Sequence, residues 1–268
     1  MHVTSSELRI VPRGPLRLHV GLVGEVGCIL AEIPDPGTVG TILEEPCTAA
    51  HWGMVLRGEL ELRRNGDRLS LPAGTVFHVP EGPPAHTFQA EAAAVMVTFG
   101  PAVATDRTMA AALAELGAPG PRQAAGTFPE PPEQPVTIAG AARPVPIAVG
   151  RITAQAAVMG PWVFCETRFG PTSGYASGWC DLPHWGMVLR GGLAIEWEDD
   201  VEMLLAGDIF HCPAGPPGHR YEAADGATII DFTPQEALAA GGRTIAWRPT
   251  LADLEAGSSR KGRRPVAC

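Results

Sequence analysis

Apolar residues along this chain come in short runs of strand length that are separated by turn residues. Leu60 and Leu62 alternate with polar residues and lead into Asn65-Gly66, a pair typical of a two-residue hairpin turn. Residues 94–99 form another apolar run of strand length. Because no helical period persists through these segments, the pattern predicts an all-β fold.

Two segments depart from this pattern and are predicted to be helices. Residues 105–116 begin with a capping residue, Thr105 or Asp106, and stop before Gly117. A second short helix is expected at Gln235–Ala240. Each helix follows a series of β segments, so the chain is predicted to contain two β domains, each followed by a short helical segment.

The chain contains an internal duplication with a period of 133 residues. Residues 47–101 can be placed over residues 180–234 without a gap, and 25 of the 55 positions are identical, against roughly 3 expected by chance. The repeated cysteine and histidines are Cys47 with Cys180, His51 with His184, His78 with His211, and His86 with His219. Residues of these types, retained in both copies, are more typical of a site than of a core.

The repeat and the composition between its copies give the domain limits. Residues 1–117 are predicted to form the first domain and residues 147–243 the second. Residues 118–146 are rich in Pro, Ala and Gly and are interpreted as a linker. Residues 244–268 are expected to form a C-terminal segment with a basic, disordered tail.

Charge and composition exclude several classes of partner. A net charge of -9 and a pI near 5.4 argue against nucleic acid and against an anionic membrane. No run approaches 18 apolar residues, and the N-terminus lacks the apolar segment of a signal peptide, so a cytoplasmic location is expected. Six cysteines in 268 residues do not indicate a disulfide scaffold; the thiols are expected to be buried or metal-bound.

Two motifs in each repeat resemble those of the cupin superfamily. Residues 74–86 have the glycine, the Pro-x-Gly and the following histidine of the second cupin motif, and residues 55–58, Val-Leu-Arg-Gly, are similar to the turn that ends the first. Both motifs occur twice and in the same order. The resemblance covers about residues 20–101 and 150–234 and implies a bicupin, with two tandem cupin-type β-barrels of the jelly-roll kind and a site inside each.

The first motif departs from the familiar cupin pattern of two histidines and a glutamate. The place of the glutamate, seven residues before Gly58 and Gly191, holds a histidine, and the place of the second histidine, eleven residues before each glycine, holds a cysteine. Carried over residue by residue, the resemblance implies two sets of metal ligands: Cys47, His51 and His86, and again Cys180, His184 and His219.

The chemistry of these residue types supports a metal site. A cysteine and a histidine four apart on a strand point the same way, because the side-chain period is two. One thiolate and two imidazoles leave one position open, which is the arrangement of catalytic zinc. Fe(II) is the second choice, since a thiolate beside activated oxygen is open to oxidation. The alternative that Cys47 and Cys180 are small buried hydrophobic residues stays open.

His78 and His211 allow three interpretations: a fourth ligand, a general base, or a residue packed at the outer wall of the barrel. On an alternating strand, each points to the face opposite to its two neighbours. We assign both as candidate catalytic residues, since a histidine can act as a base near neutral pH.

These features predict a metal-dependent enzyme that acts on a small, largely apolar carbonyl compound. The expected chemistry is redox-neutral: isomerisation, cyclisation, dehydration or elimination. An Fe(II)-dependent dioxygenase and a non-catalytic protein that binds a metal or a small molecule are the alternatives. The predicted partner is the small-molecule substrate, and a homodimer is left open.

Overall fold

The structure is a computed structural model of the chain. It describes residues 2–3, 8–13, 16–34, 46–90, 92–103, 130–131, 136–139, 144–171, 178–241, 252 and 254–255. The helix predicted at residues 105–116 and the basic tail lie outside the described residues.

The first half of the described chain is built from strands. They are β1 (His2–Val3), β2 (Arg9–Arg13), β3 (Leu16–Val23), β4 (Val26–Ile33), β5 (His51–Arg57), β6 (Glu59–Arg64), β7 (Asp67–Pro72), β8 (Thr75–Val79), β9 (His86–Ala90) and β10 (Ala94–Pro101). The apolar run at residues 94–99 therefore lies inside β10, and the prediction of an all-β fold is confirmed.

The second half repeats this arrangement. Its strands are β11 (Thr137–Ile138), β12 (Val145–Val149), β13 (Ile152–Met159), β14 (Trp162–Phe169), β15 (His184–Glu196), β16 (Val201–Leu205), β17 (Ile209–Cys212), β18 (Arg220–Glu222) and β19 (Ala227–Pro234). A short helix, α1 (Gln235–Ala240), follows the last strand, as predicted.

Each repeat encloses a core of the jelly-roll kind, with two sheets in the first barrel and one nine-stranded sheet in the second. In the first barrel, a sheet in the order β11-β8-β5-β10-β4-β3-β2 faces a three-stranded sheet, β7-β6-β9. In the second barrel the order is β1-β17-β15-β19-β14-β13-β12, and the long strand β15 also pairs with β16 and β18. The prediction of two tandem cupin-type barrels is confirmed.

The hairpin between β6 and β7 has the predicted turn. Asn65 and Gly66 have φ angles of 54° and 84°, and Arg64 pairs with Asp67 across the two-residue loop. Positive φ at both central positions is what a type I′ turn requires, and Asn-Gly is the residue pair that tolerates it best.

Among the described residues, buried apolar side chains form three clusters, one inside each barrel and one between the barrels. Val55, Phe77 and Val79 belong to the interior of the first barrel. The cluster between the barrels contains Phe99 of β10 and Phe232 of β19, whose ring centroids are 5.5 Å apart. The two repeats therefore bury apolar surface against each other, and this contact couples their stabilities.

The barrels also exchange edge strands. β1, which precedes the first repeat, pairs with β17 of the second barrel, and β11, which precedes the second repeat, pairs with β8 of the first. β11 falls in the segment interpreted as a linker, and Ile138 on this strand is buried in the cluster between the barrels. The domain limits drawn from the repeat stay a prediction.

Phe99→Ala is expected to destabilise the whole protein, because Phe99 is fully buried between the barrels. Removing such a ring costs about 3–5 kcal/mol of unfolding free energy, and urea unfolding measures it. The matched control is Leu205→Ala on β16, where the side chain is 64% exposed and a change within about 0.5 kcal/mol is expected. Equal stabilities of the two variants would contradict a stabilising contact between the barrels.

Candidate metal centres

Cys47, His51 and His86 come together on the inner face of the first barrel. An isolated backbone bridge joins Cys47 to His86, and each amide donates to the carbonyl oxygen of the other residue, at 2.9 and 2.8 Å. Cys47 Sγ lies 3.2 Å from His51 Nε2. One candidate ligand atom from each residue lies within 4.8 Å of the other two, so the three could bind one ion.

The Pro-Gly loop of the second motif positions His86 against the first motif. Gly82 has a φ of 96°, a conformation that L side chains rarely adopt. Its amide donates to the carbonyl oxygen of Thr48 at 2.8 Å. Since Thr48 follows Cys47 directly, this hydrogen bond ties the loop to the strand segment that carries the cysteine.

The second barrel repeats the arrangement. Cys180 and His219 form the equivalent backbone bridge, with hydrogen bonds of 2.7 and 2.9 Å. Cys180 Sγ lies 3.2 Å from His184 Nε2, and the ring centroids of His184 and His219 are 5.0 Å apart. Candidate ligand atoms of these three residues also lie within 4.8 Å of one another. The structure thus brings together both predicted sets of three residues.

The state of the imidazoles in the first barrel fits a metal site. His86 is 2% exposed, and neither of its ring nitrogens has a hydrogen-bond partner among the described residues. Buried polar atoms are nearly always paired, so these nitrogens need a partner of another kind. Burial, the neighbouring His51 and the positive charge of Arg64 lower the pKa of His86 to about 4, and burial lowers that of His51 to about 4. Both rings are therefore neutral at physiological pH, as metal ligands must be.

The two barrels differ in the groups that lie beside Nδ1 of His51 and of His184. His184 Nδ1 lies 2.6 Å from Thr233 Oγ1 and 3.5 Å from an oxygen of the Asp231 carboxylate. In the first barrel, His51 Nδ1 has Thr98 Oγ1 at 3.5 Å. The repeat alignment places Thr98 opposite Asp231, and Gly100 opposite Thr233. In the second barrel, the hydroxyl beside Nδ1 of the histidine is therefore closer than in the first, and a carboxylate lies there in addition.

The two Cys/His groups also differ in their exposure to solvent. Cys180, His184 and His219 are each 0% exposed, whereas Cys47 and His51 are half-buried. Trp197 packs near His219 with ring centroids 5.7 Å apart. The first barrel has Arg64 at the equivalent position of the repeat.

The second barrel adds two buried polar side chains that the sequence analysis did not single out. Cys212 Sγ lies 3.7 Å from the hydroxyl of Tyr221, and burial raises the pKa of both groups. The first barrel has Val79 and Phe88 at these positions. Asp231 and Thr233 were missed as well. The signal for Asp231 was a carboxylate inside an apolar run, at a position where the repeats differ.

His78 and His211 do not join either group. Their strands turn these side chains toward the other barrel: His78 contacts Gly160, and His211 contacts Gly24. The ring of His211 stacks on that of Trp185 at 4.7 Å. The pleat that places His51 inside the barrel places His78 outside it, and the assignment of both histidines as catalytic residues stays a prediction. Of the three interpretations, packing at the outer wall matches this position.

The described part of the chain has no helix that combines the length and the apolar character needed to cross a membrane.

Comparison with known proteins finds similarity in structure and not in sequence. Neither protein-family models nor curated sequences match the chain. A tryptophan-to-tyrosine variant of Bacillus subtilis oxalate decarboxylase is similar in structure, with a TM-score of 0.60, 15% identity, and coverage of 87% of this chain and 77% of that one. AerE from Microcystis aeruginosa is similar with a TM-score of 0.54, 16% identity, and coverage of 85% and 98%.

At such low identity these likenesses concern the fold. A further similar structure of the Bacillus subtilis oxalate decarboxylase, with a TM-score of 0.61 and 15% identity, is described by its Mn(II) centres. Three observations indicate the same fold. The chain forms two jelly-roll barrels in tandem, its repeat contains both cupin-like motifs, and its structure is similar to that of oxalate decarboxylase. The chain therefore has the fold of a bicupin, with a candidate metal site in each of its two barrels.

Proposed function

We propose that each barrel binds one divalent metal ion through a thiolate and two imidazoles, and that the protein is a metal-dependent enzyme. Its substrate is a small organic molecule, and its reaction is redox-neutral. The observation that carries the proposal is the buried imidazole of His86, whose unpartnered nitrogens lie beside Cys47 and His51. A metal ion is the partner that would satisfy all three side chains at once.

Zinc is the proposed ion. A thiolate with two imidazoles favours a soft or borderline ion, whereas Mn(II) and Mg(II) prefer carboxylate and water. The Mn(II) centres named for the oxalate decarboxylase therefore do not carry over to this ligand set. Fe(II) is the second proposal, and the sulfur ligand makes it less suitable for a reaction with oxygen.

The first barrel is the proposed place of reaction. Cys47 and His51 are half-buried, whereas Cys180 and His184 are fully buried, so the first group is the more open of the two to a substrate. A bound zinc ion would supply Lewis acidity to a substrate carbonyl. Isomerisation, cyclisation, dehydration and elimination are the reaction types consistent with such polarisation.

The side chains around the first group give it an apolar wall and keep its imidazoles neutral. Phe88 packs on His86 with ring centroids 5.6 Å apart and presents an apolar wall. Burial is the main cause of the lowered pKa of His86, and the charges of His51 and Arg64 add to it, so that ring stays neutral and able to bind a metal ion. An apolar wall beside two neutral imidazoles suits a largely apolar carbonyl compound.

The cytoplasm is the proposed location. The five cysteines among the described residues are free thiols, which fits a reducing compartment.

Purified protein is expected to contain two metal ions per chain, and His51→Ala and His184→Ala are expected to contain one each. Metal analysis with protein quantification measures the ratio. The matched control is His78→Ala, which should retain both ions because His78 packs between the barrels. A chain without any ion, or loss of an ion in the control alone, would contradict the proposed ligands.

Cys47 is expected to resist alkylation while metal is bound and to react at least about 10-fold faster after a chelator removes the ion. Mass spectrometry of the labelled peptides measures the rates. Cys28 serves as the control, because it is fully buried and burial raises its pKa, so it should stay unlabelled in both conditions. Equal rates for Cys47 with and without chelator would show that its sulfur is not a ligand.

Zinc-loaded protein is expected to convert a member of a panel of small carbonyl compounds in the absence of oxygen. NMR of the mixture detects conversion, and His51→Ala should lower its rate by about 100-fold or more, because the ion is lost. His184→Ala is the matched control and should keep most of the rate. Conversion that requires iron and oxygen would favour the dioxygenase, and metal binding without conversion of any compound would favour a binding protein.

A further inference from the structure

We infer that the two metal sites differ in kind: the second barrel holds its ion tightly and exchanges it slowly, and the first exchanges it readily. The inference rests on the proposed function, because it takes both Cys/His groups as metal sites. The ligands are the same in both barrels, so the difference must arise from the residues around them. Asp231, Thr233 and Trp197 are the residues that we assign to this role.

The first contribution is the hydrogen bonding behind His184. An Nδ1–H that donates to an acceptor fixes the tautomer of the ring and points the Nε2 lone pair at the metal. His184 Nδ1 has Thr233 Oγ1 at 2.6 Å and a carboxylate oxygen of Asp231 at 3.5 Å. Asp231 is 2% exposed, so its carboxylate is held beside the ring and away from solvent.

The first barrel lacks this support. Thr98 stands where the second barrel has Asp231, and its hydroxyl is 3.5 Å from His51 Nδ1. Gly100 stands where the second barrel has Thr233, and a Cβ added there would lie 2.9 Å from the carbonyl oxygen of Ala50. The backbone around His51 therefore leaves little room for a second acceptor on this side.

The second contribution is enclosure. The three ligands of the second barrel are 0% exposed, and Trp197 packs near His219 with centroids 5.7 Å apart. Water or a competing ligand must reach an ion before the ion can leave. In the first barrel Arg64 replaces the indole, and its guanidinium extends to the carbonyl oxygens of Gly82 and Pro84.

A salt bridge joins β18 to β15 next to the second Cys/His group. Arg220 donates to both carboxylate oxygens of Glu196, at 2.8 and 2.6 Å. Its guanidinium also lies 5.1 Å from the ring centroid of Trp179. Trp179 and Arg220 adjoin the ligands Cys180 and His219 in the chain, so this contact ties together the two segments that carry these ligands. The first barrel has Pro46, Arg63 and Thr87 at the three positions.

The closing experiment measures zinc exchange in the intact protein. Zinc-loaded protein is mixed with a chromogenic chelator, and the release of zinc is followed in the wild type, in His51→Ala and in His184→Ala. Two phases that differ by at least about 10-fold are expected, with the slow phase alone in His51→Ala and the fast phase alone in His184→Ala. Equal rates, or the reverse assignment, would overturn the inference. A protein that never contains zinc would instead contradict the proposed function.

Substitutions at Asp231 test whether this residue positions the His184 ring or has only a general structural role. Asp231→Thr introduces the residue of the first barrel and is expected to accelerate the slow phase by about 10–100-fold. Asp231→Asn keeps an acceptor oxygen and should accelerate it less. The fast phase should not change in either variant. Acceleration of both phases, or no acceleration in Asp231→Thr, would contradict a positioning role.

Trp197→Arg tests whether enclosure by the indole slows metal exchange, and it leaves the buried residues of the ligand group unchanged. Trp197 is half-buried, and arginine is the residue of the first barrel at this position. The substitution is expected to accelerate the slow phase, and Arg64→Trp in the first barrel is expected to slow the fast phase. An unchanged slow phase in Trp197→Arg, in protein that remains folded by circular dichroism, would show that the indole does not restrict exchange.

Discussion

Both candidate metal sites depend on one backbone interaction, the bridge that pairs a cysteine with a histidine from a neighbouring strand. Cys47 pairs with His86, and Cys180 pairs with His219. The first residue of β5 or β15, a histidine in each case, lies four residues after the cysteine and points to the same interior. Without the bridge, residues about 40 positions apart in the chain would have no reason to share an ion.

The contact between the barrels explains features that do not belong to these sites. Phe99 and Phe232 meet in a shared core, and each barrel receives an edge strand from the segment that precedes the other repeat. His78 and His211 lie on this side of their sheets, each against a turn glycine of the other barrel. Both histidines therefore take part in the packing across the interface.

The duplication provides an internal comparison within one molecule. The candidate ligands agree between the repeats, whereas residues around them differ, as Thr98 and Asp231 do. Because the same three residue types occur in two environments, any difference in metal binding between the barrels would report on hydrogen bonding and enclosure.

The sequence by itself determined the all-β class, the repeat and the Asn65-Gly66 turn, because these follow from alternation, fixed spacing and local turn chemistry. The grouping of the six Cys/His residues followed from the resemblance to the cupin motifs. The sequence could not place His78, since alternation gives opposite faces without saying which face is the interior. It also could not show that Asp231 lies behind His184 or that the barrels exchange strands. Only the tertiary structure decided these points, because they depend on contacts between distant segments that no local pattern encodes.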